Sequence, residues 1–169
     1  MRLARTGLFR AKWTAAIHDE WMRNLMAGRA DLDQVKLQRT RELMDASVID
    51  CLVTGYDELI PGLTLPDPDD RHVLAAAIRG GADAIVTFNL KDFPATNCAP
   101  FGIEAQHPDD FILYQLDLDP VRVIRAMNDQ RQSLKNPPKS LDEFLATLEA
   151  QRLTQTVVQL RNKHYSALS

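Results

Sequence analysis

Apolar residues recur at helical spacing near the start of the chain. Ile17, Trp21 and Leu25 lie four residues apart, which predicts an amphipathic helix over residues 14–27 with these three side chains on its apolar stripe. Glu20 borders that stripe, where a carboxylate is uncommon unless something nearby compensates its charge. The alternative is a surface glutamate whose stem lies along the neighbouring tryptophan.

A second helix is predicted from residue 31 or 32 to about residue 46. The apolar run VIDCLV that follows fits either a strand or a helix. Residues 65–94 then read as loop, helix, tight turn, buried strand and loop. Gly80-Gly81 is expected to end the helix, and Ala84-Ile85-Val86 is expected to form a parallel strand covered on both faces.

The C-terminal half predicts mainly helices. After a linker, ATNCAPFG, and a short apolar segment, IEAQ, Pro108 is expected to open a helix up to about Leu116. Asp119-Pro120 has the order of a capping residue followed by a first helical residue, and Ser140 with Glu143 has the spacing of a capping box. A last helix is expected from residue 153 to about residue 165.

Composition and charge restrict the class of protein. The 169 residues are 45% hydrophobic and 25% charged, as in an ordinary globular domain, and no apolar run reaches the length of a membrane span or a secretion signal. We therefore expect a cytoplasmic protein without a membrane segment. The net charge of -3 argues against coating nucleic acid by bulk positive charge. Cys51 and Cys98 lack metal-ligand spacing, and we expect each to be a buried thiol.

Acidic residues cluster at two further places. Asp67, Asp69 and Asp70 stand at a predicted helix start, where Asp69 or Asp70 is expected to cap the free backbone N–H groups, yet capping needs only one of them. Asn89 and Asp92 follow the buried strand, at the end of a parallel sheet where ligands gather. A turn held by side-chain hydrogen bonds explains this pair equally well.

Taken together, these segments resemble PIN domains. DPDDRHVLAAAIRGGADAIVTFNLKDFP is similar to the family's third and fourth acidic motifs, in which an aspartate begins an alanine-rich helix and a threonine-containing strand leads to Asn or Asp. WTAAIHDEWMRNL resembles the second motif, a helix with one glutamate. The likeness extends through HPDDF and the helical tail, which are seen in a subgroup related to bacterial VapC-type toxins.

The resemblance implies a catalytic set and a cofactor. Glu20, Asp70, Asn89 and Asp92 match the motif positions, and the three acids among them would bind Mg2+ or Mn2+, hard cations that prefer carboxylate oxygens. Residues around these positions are candidates for supporting roles (Thr87, Asp69 and His72) and for binding RNA phosphates (Arg23, Arg71 and Lys91).

The resemblance also implies the architecture. We expect a three-layer α/β/α fold with a short parallel sheet, residues 1–107 as the PIN-like domain, and residues 108–169 as a helical extension packed on the same domain. One departure stands out, because PIN proteins begin with an apolar strand ending in an aspartate, whereas MRLARTGLFRAKW resembles only the helix end after that strand. On the order of twenty residues are expected upstream. Without that aspartate, divalent binding is expected to be weaker.

Two main functions follow as expectations from the resemblance. The first is a metal-dependent endoribonuclease, the toxin of a type II toxin-antitoxin pair, with an RNA substrate, a small antitoxin and a homodimeric assembly. The second is a truncated, catalytically impaired PIN scaffold that binds a partner protein or RNA without cleaving. A nuclease for DNA or structured RNA outside toxin biology is a third, weaker alternative.

Overall fold

The computed structural model describes residues 1–29 and 31–168. The chain divides into two compact units: an α/β unit, Arg10–Ala105, and a helical unit, Met1–Phe9 with Gln106–Ser169. The α/β class, the short parallel sheet and the C-terminal helices expected from the sequence are confirmed. The expectation that residues 108–169 pack on the same domain as residues 1–107 stays a prediction.

The α/β unit begins with two capped helices. Helix α1 spans Ala15–Gly28, and the Thr14 hydroxyl accepts a hydrogen bond from the backbone N–H of Ile17 in its first turn. Helix α2 spans Gln34–Ser47, and its cap is the Asp33 side chain. Both helices lie where the sequence predicts them, because short polar residues satisfy the free N–H groups at each start.

The buried face of α1 differs from the predicted one. His18 and Met22 are buried, whereas Leu25 is 43% exposed. The buried face is therefore shifted by one residue from the predicted stripe of Ile17, Trp21 and Leu25. The reason is that a hydrogen-bonded histidine occupies the inward face, which apolar spacing alone does not reveal.

Helix α3 spans Arg71–Gly80 and ends as predicted. Gly81 has a left-handed backbone (φ 59°), and the N–H of Ala82 bonds to the carbonyl of Ala77 at 2.9 Å. This closure suits glycine, which carries no Cβ to strain the left-handed conformation. It turns the chain directly from the helix into the first strand.

Strand β1 (Ala84–Val86) pairs with β2 (Glu104–Gln106) in a parallel sheet of two strands within the part of the chain described. Val86 is 43% exposed, so the prediction of a strand covered on both faces is wrong at this residue. A sheet of two three-residue strands is too small to be enclosed on both sides. The segment between the strands includes a short helix, α4 (Ala95–Cys98), where a linker was expected.

The apolar run before α3 forms neither a regular strand nor a helix. A single parallel bridge joins Trp13 to Leu52, made by the N–H of Trp13 to the carbonyl of Cys51 and the N–H of Val53 to the carbonyl of Trp13, both at 2.8 Å. The core of this unit forms where α3 meets these segments, and its fully buried members include Leu74, Ala75 and Cys98. Cys51 and Cys98 are free and buried, as expected.

In the described part of the helical unit, five further α-helices follow: α5 (Pro108–Leu118), α6 (Pro120–Ser133), α7 (Leu141–Ala150), α8 (Thr154–Gln159) and α9 (Tyr165–Leu168). The predicted cap of α6 by Asp119 and the capping box of Ser140 and Glu143 are both present. The single last helix predicted from residue 153 is instead interrupted by a π-turn at Leu160–His164.

A separate apolar core holds the helical unit together. It is built from buried residues of α5, α6, α7 and the last helical segment: Leu116, Val123, Ile124, Leu145, Val157, Leu160 and Leu168. No helix in residues 1–29 and 31–168 has the length and apolar character needed to cross a membrane.

Candidate functional site

Glu20 lies on α1 and points toward α3. Its Oε2 is 3.6 Å from Nε2 of His72, and its side chain is 45% exposed. The preceding residue, Asp19, instead pairs with Arg41 of α2 at 2.8 Å. Two adjacent acids on one helix therefore face different elements, and Glu20 is the one directed to the helix whose start carries the aspartate cluster.

Asp70 holds the N-cap position of α3, but its side chain makes no capping hydrogen bond. The capping role falls to Asp67, whose carboxylate accepts from the backbone N–H of Asp69 at 2.9 Å and starts the 3-10 turn Pro68–Asp70. The prediction that Asp69 or Asp70 caps this helix is therefore wrong. Because an earlier aspartate supplies the cap, the carboxylate of Asp70 is left for other chemistry.

The electrostatics of Asp70 show which residues lie near it. Burial raises the pKa of this carboxyl above its usual range, and the charges of Asp92, Asp67 and Glu20 raise it further, against a smaller opposing effect of His72. The fold thus brings together acids from α1, from the start of α3 and from the segment after β1. The three acids named by the sequence, at 20, 70 and 92, share one electrostatic neighbourhood.

Asn89 and Asp92 form a turn after β1. The Asn89 side-chain amide donates a hydrogen bond to the Asp92 carboxylate, and the backbone N–H of Asn89 donates to the Thr87 hydroxyl at 3.0 Å. The turn interpretation of these residues is therefore correct, and it is compatible with a site because Asp92 also acts on Asp70. Thr87 supports the turn backbone.

The predicted RNA-binding residues have different surroundings. Arg71 uses its Nε to donate to the carbonyl of Pro68 at 2.9 Å, which ties it to the turn before α3. Arg23 and Lys91 are exposed, as is Asp69. The structure therefore gives Arg71 a local structural contact, while the other two cations are presented to solvent.

A buried polar network on α1 is absent from the sequence predictions. Asp45 of α2 accepts from Nε1 of Trp13 and interacts with Nε2 of His18, both at 2.8 Å, and Nε1 of Trp21 donates to Nδ1 of His18 at 2.8 Å. Burial raises the pKa of Asp45, but the hydrogen bonds from Trp13 and His18 outweigh it and the pKa is lowered overall. The available signal was a histidine and a tryptophan three residues apart on one helix.

This network fixes the helix that carries Glu20. The indole of Trp21 is a donor only, so Nδ1 of His18 accepts and Nε2 carries the proton that faces Asp45. His18 is 1% exposed. Asp45 also accepts a hydrogen bond from the indole N–H of Trp13, the residue that forms the β-bridge with Leu52. The position of α1 against α2 is therefore set by directed hydrogen bonds as well as by packing.

The residues present match the chemistry of a hard divalent cation. Glu20, Asp70 and Asp92 offer carboxylate oxygens, and the mutual repulsion that raises the pKa of Asp70 is the kind that a cation relieves. In residues 1–29 and 31–168, no three His, Cys, Asp or Glu side chains converge closely enough to hold a metal ion. A cation held by all three acids would therefore require a side-chain rearrangement.

Comparisons with known proteins identify the family of this chain. The family described as VapC50 C-terminal domain matches residues 108–162. A protein of Mycobacterium tuberculosis (strain ATCC 25618 / H37Rv) named "Putative ribonuclease VapC50" is 55% identical over 64 residues, a segment that covers 38% of this chain and 37% of that relative. No solved structure matches the chain. The PIN domain family matches residues 1–91, which is more than half of the chain, and the protein therefore belongs to the PIN domain family.

Proposed function

We propose that this protein is a divalent-metal-dependent endoribonuclease of the PIN type and the toxin of a type II toxin-antitoxin pair. The observation that carries the proposal is the placement of Asp92, Asp67 and Glu20 around the uncapped carboxylate of Asp70, where burial and then these charges raise its pKa. Acids from three separate segments lie near Asp70, whose own carboxylate makes no capping hydrogen bond. Such a concentration of like charge is typical of a site that binds a cation.

In this proposal, Glu20, Asp70 and Asp92 hold Mg2+ or Mn2+. A cation held there would supply Lewis-acid chemistry, activating water and neutralising charge on the phosphodiester. Asn89 holds the Asp92 carboxylate through its side-chain amide, so it orients one ligand. Thr87 fixes the backbone of that turn, and Asp67 takes the capping role that would otherwise occupy Asp70.

Three cations near the motif positions are proposed to contact RNA. Arg23 and Lys91 are exposed and available to phosphate oxygens, while Arg71 is tied to the carbonyl of Pro68 and adds positive charge at the start of α3. With a net charge of -3, the chain depends on such local cations to counter the repulsion between its acids and the RNA backbone.

A small antitoxin protein and a homodimeric assembly in the cytoplasm belong to the same proposal. They rest on the likeness to VapC-type toxins, supported by the match of residues 108–162 to the VapC50 C-terminal domain. The relative named as a ribonuclease is matched over 37% of its length, so its activity is carried to this chain as a proposal.

A second function has its own supporting observation. Because no three potential ligands converge in residues 1–29 and 31–168, the chain also fits an impaired PIN scaffold that binds RNA or a partner protein without cleaving. The two proposals differ in a measurable way. The enzyme binds Mn2+ and cleaves RNA, whereas the scaffold retains RNA or protein binding and lacks metal-dependent cleavage.

The deciding experiment incubates the full chain with end-labelled RNA and Mn2+, beside Asp70→Ala and the control Asp57→Asn. Asp57 is an exposed acid at the start of another 3-10 helix, outside the candidate site. We expect cleavage by the parent and by the control, and a loss of at least about 100-fold in Asp70→Ala. Equal cleavage by all three would exclude Asp70, and no cleavage by the parent would favour the scaffold.

A further inference from the structure

His72 is the second residue of α3 and reaches across to α1. Its Nε2 lies 3.6 Å from Oε2 of Glu20, and its side chain is 20% exposed against 45% for Glu20. The pair joins the helix that carries the glutamate to the helix whose N-cap position is Asp70. The more buried and less flexible His72 side chain therefore lies against the more exposed and flexible Glu20 side chain.

The other ring nitrogen of His72 determines which way the ring can donate. Nδ1 is buried and has no hydrogen-bond partner in residues 1–29 and 31–168. A proton on Nδ1 would bury a donor without an acceptor, which is costly, so the favoured tautomer carries its proton on Nε2. That proton faces the Glu20 carboxylate. At 3.6 Å the two atoms are slightly too far apart for a hydrogen bond, so the present contact is a polar one in which the Nε2 proton is on the side of the carboxylate.

The contact with His72 also limits the movement of the Glu20 side chain. Glu20 has a long side chain with several rotatable bonds, and its half-exposed carboxylate would otherwise move away from the neighbouring acids that repel it. Its neighbour in sequence, Asp19, is already held by Arg41 on the opposite side. His72 is thus the group on α3 that counters this tendency.

We propose that His72 is a positioning residue that holds the Glu20 carboxylate beside Asp70, ready to share a divalent cation. This inference rests on the proposed function, because it gives Glu20 and Asp70 a common ligand. His72 itself is not a metal ligand in this proposal. Its role matches that of the outer groups that orient carboxylates at metal sites.

The test is a double-mutant cycle with Mn2+ binding measured by calorimetry on the full chain. The variants are His72→Ala, Glu20→Gln and the two combined, with His72→Gln as the conservative change, since a glutamine amide keeps a donor. We expect His72→Ala to weaken Mn2+ binding by about tenfold. We expect His72→Gln to retain most of the affinity, and His72→Ala to have no further effect when it is added to Glu20→Gln.

Two controls separate positioning from general damage. His164→Ala removes a histidine of the helical unit and should leave Mn2+ affinity unchanged, and thermal unfolding shows whether each variant is folded. If His72→Ala causes the same loss of affinity in the parent chain and in the Glu20→Gln variant, the proposal is overturned, because His72 would then act independently of Glu20. No loss at all would overturn it too.

The proposed function can fail separately from this inference. If the parent chain binds no Mn2+, the proposal of a metal-dependent nuclease is rejected. The contact is then tested by thermal unfolding without metal, which compares the parent with the two single variants and the double variant. A shift for the double variant smaller than the sum of the single shifts supports the positioning contact. Additive shifts overturn it.

Discussion

The carboxylate of Asp109 accepts a hydrogen bond from the backbone N–H of Thr156 at 2.9 Å. Its second oxygen accepts from the N–H of Gln155 at 2.8 Å. Leu153, at the N-cap position of α8, has no side chain that can cap, so a residue of α5 supplies the acceptors that the helix start needs. Asp109 is 3% exposed. This buried cap joins the two helices of the helical unit.

Asp109→Asn is expected to lower the free energy of unfolding by about 1–3 kcal/mol. Asparagine keeps one oxygen acceptor but places an NH2 group opposite the second backbone N–H, which leaves a buried donor unpaired. Urea denaturation followed by circular dichroism measures the change. The control is Asp110→Asn, an exposed neighbour whose carboxylate bonds to the Gln155 side chain. Equal losses in the two variants would contradict a special role for Asp109.

The same contact predicts a pH dependence. Burial raises the pKa of Asp109, but the hydrogen bonds from Thr156 and Gln155 outweigh burial and lower it overall. A folded-state pKa below the unfolded value of about 3.9 stabilises the protein above that value, and this stabilisation is lost as the pH falls through the folded pKa. We therefore expect the stability difference between the parent and Asp109→Asn to be constant above about pH 5 and to shrink in more acidic buffer. A difference that grows toward acid would contradict this.

Features that depend on neighbouring residues could be predicted from the sequence. The capping box of Ser140 and Glu143, the cap of α6 by Asp119 and the closure at Gly81 each involve groups a few residues apart. Local geometry decides them, so the residue types are sufficient. The fold class followed from the resemblance of several short motifs to those of PIN domains.

Polar contacts between distant residues could not be predicted. His18 and Asp45 are 27 residues apart, and Asp109 and Thr156 are 47 apart. Each residue alone fits many surroundings, and only the packed fold determines which partner it meets. The same holds for the aspartate cluster, where Asp69 or Asp70 was expected to cap and the structure assigns that role to Asp67. The metal and RNA roles of the site residues stay predictions.

Asp70→Asn is expected to stabilise the metal-free protein. The folded-state pKa of Asp70 is raised by burial and by Asp92, Asp67 and Glu20, so the folded state favours the protonated form. The associated stability is present below the unfolded pKa of about 3.9 and is lost as the pH rises through the folded pKa. At pH 7 the charged carboxylate is therefore unfavourable, and removing it should gain up to about 1 kcal/mol after screening by water.

Thermal unfolding in EDTA at low salt measures this gain, with Asp57→Asn as the matched control. We expect the melting temperature of Asp70→Asn to exceed that of the parent at pH 7 and to approach it below about pH 4, where the carboxyl is protonated. A lower melting temperature at pH 7 would mean that Asp70 is needed for the fold. In that case, repulsion among the acids near Asp70 would not destabilise the metal-free protein, contrary to what a cation-binding site predicts.

Asp45 offers a graded test of the network that fixes α1. Asp45→Ala leaves the indole N–H of Trp13 and the imidazole N–H of His18 without an acceptor, and we expect a loss of about 2–4 kcal/mol. Asp45→Asn keeps an oxygen in that place and should lower the free energy of unfolding by about 1 kcal/mol.

Since the chain has two tryptophans, Trp13 and Trp21, and both belong to this network, their fluorescence in urea reports on this region directly. Glu42→Gln, on an exposed position of α2, is the control and should change stability by less than about 0.5 kcal/mol. Equal losses for Ala and Asn would show that the acceptor oxygen is not what holds α1, and the position of this helix would then depend on packing alone.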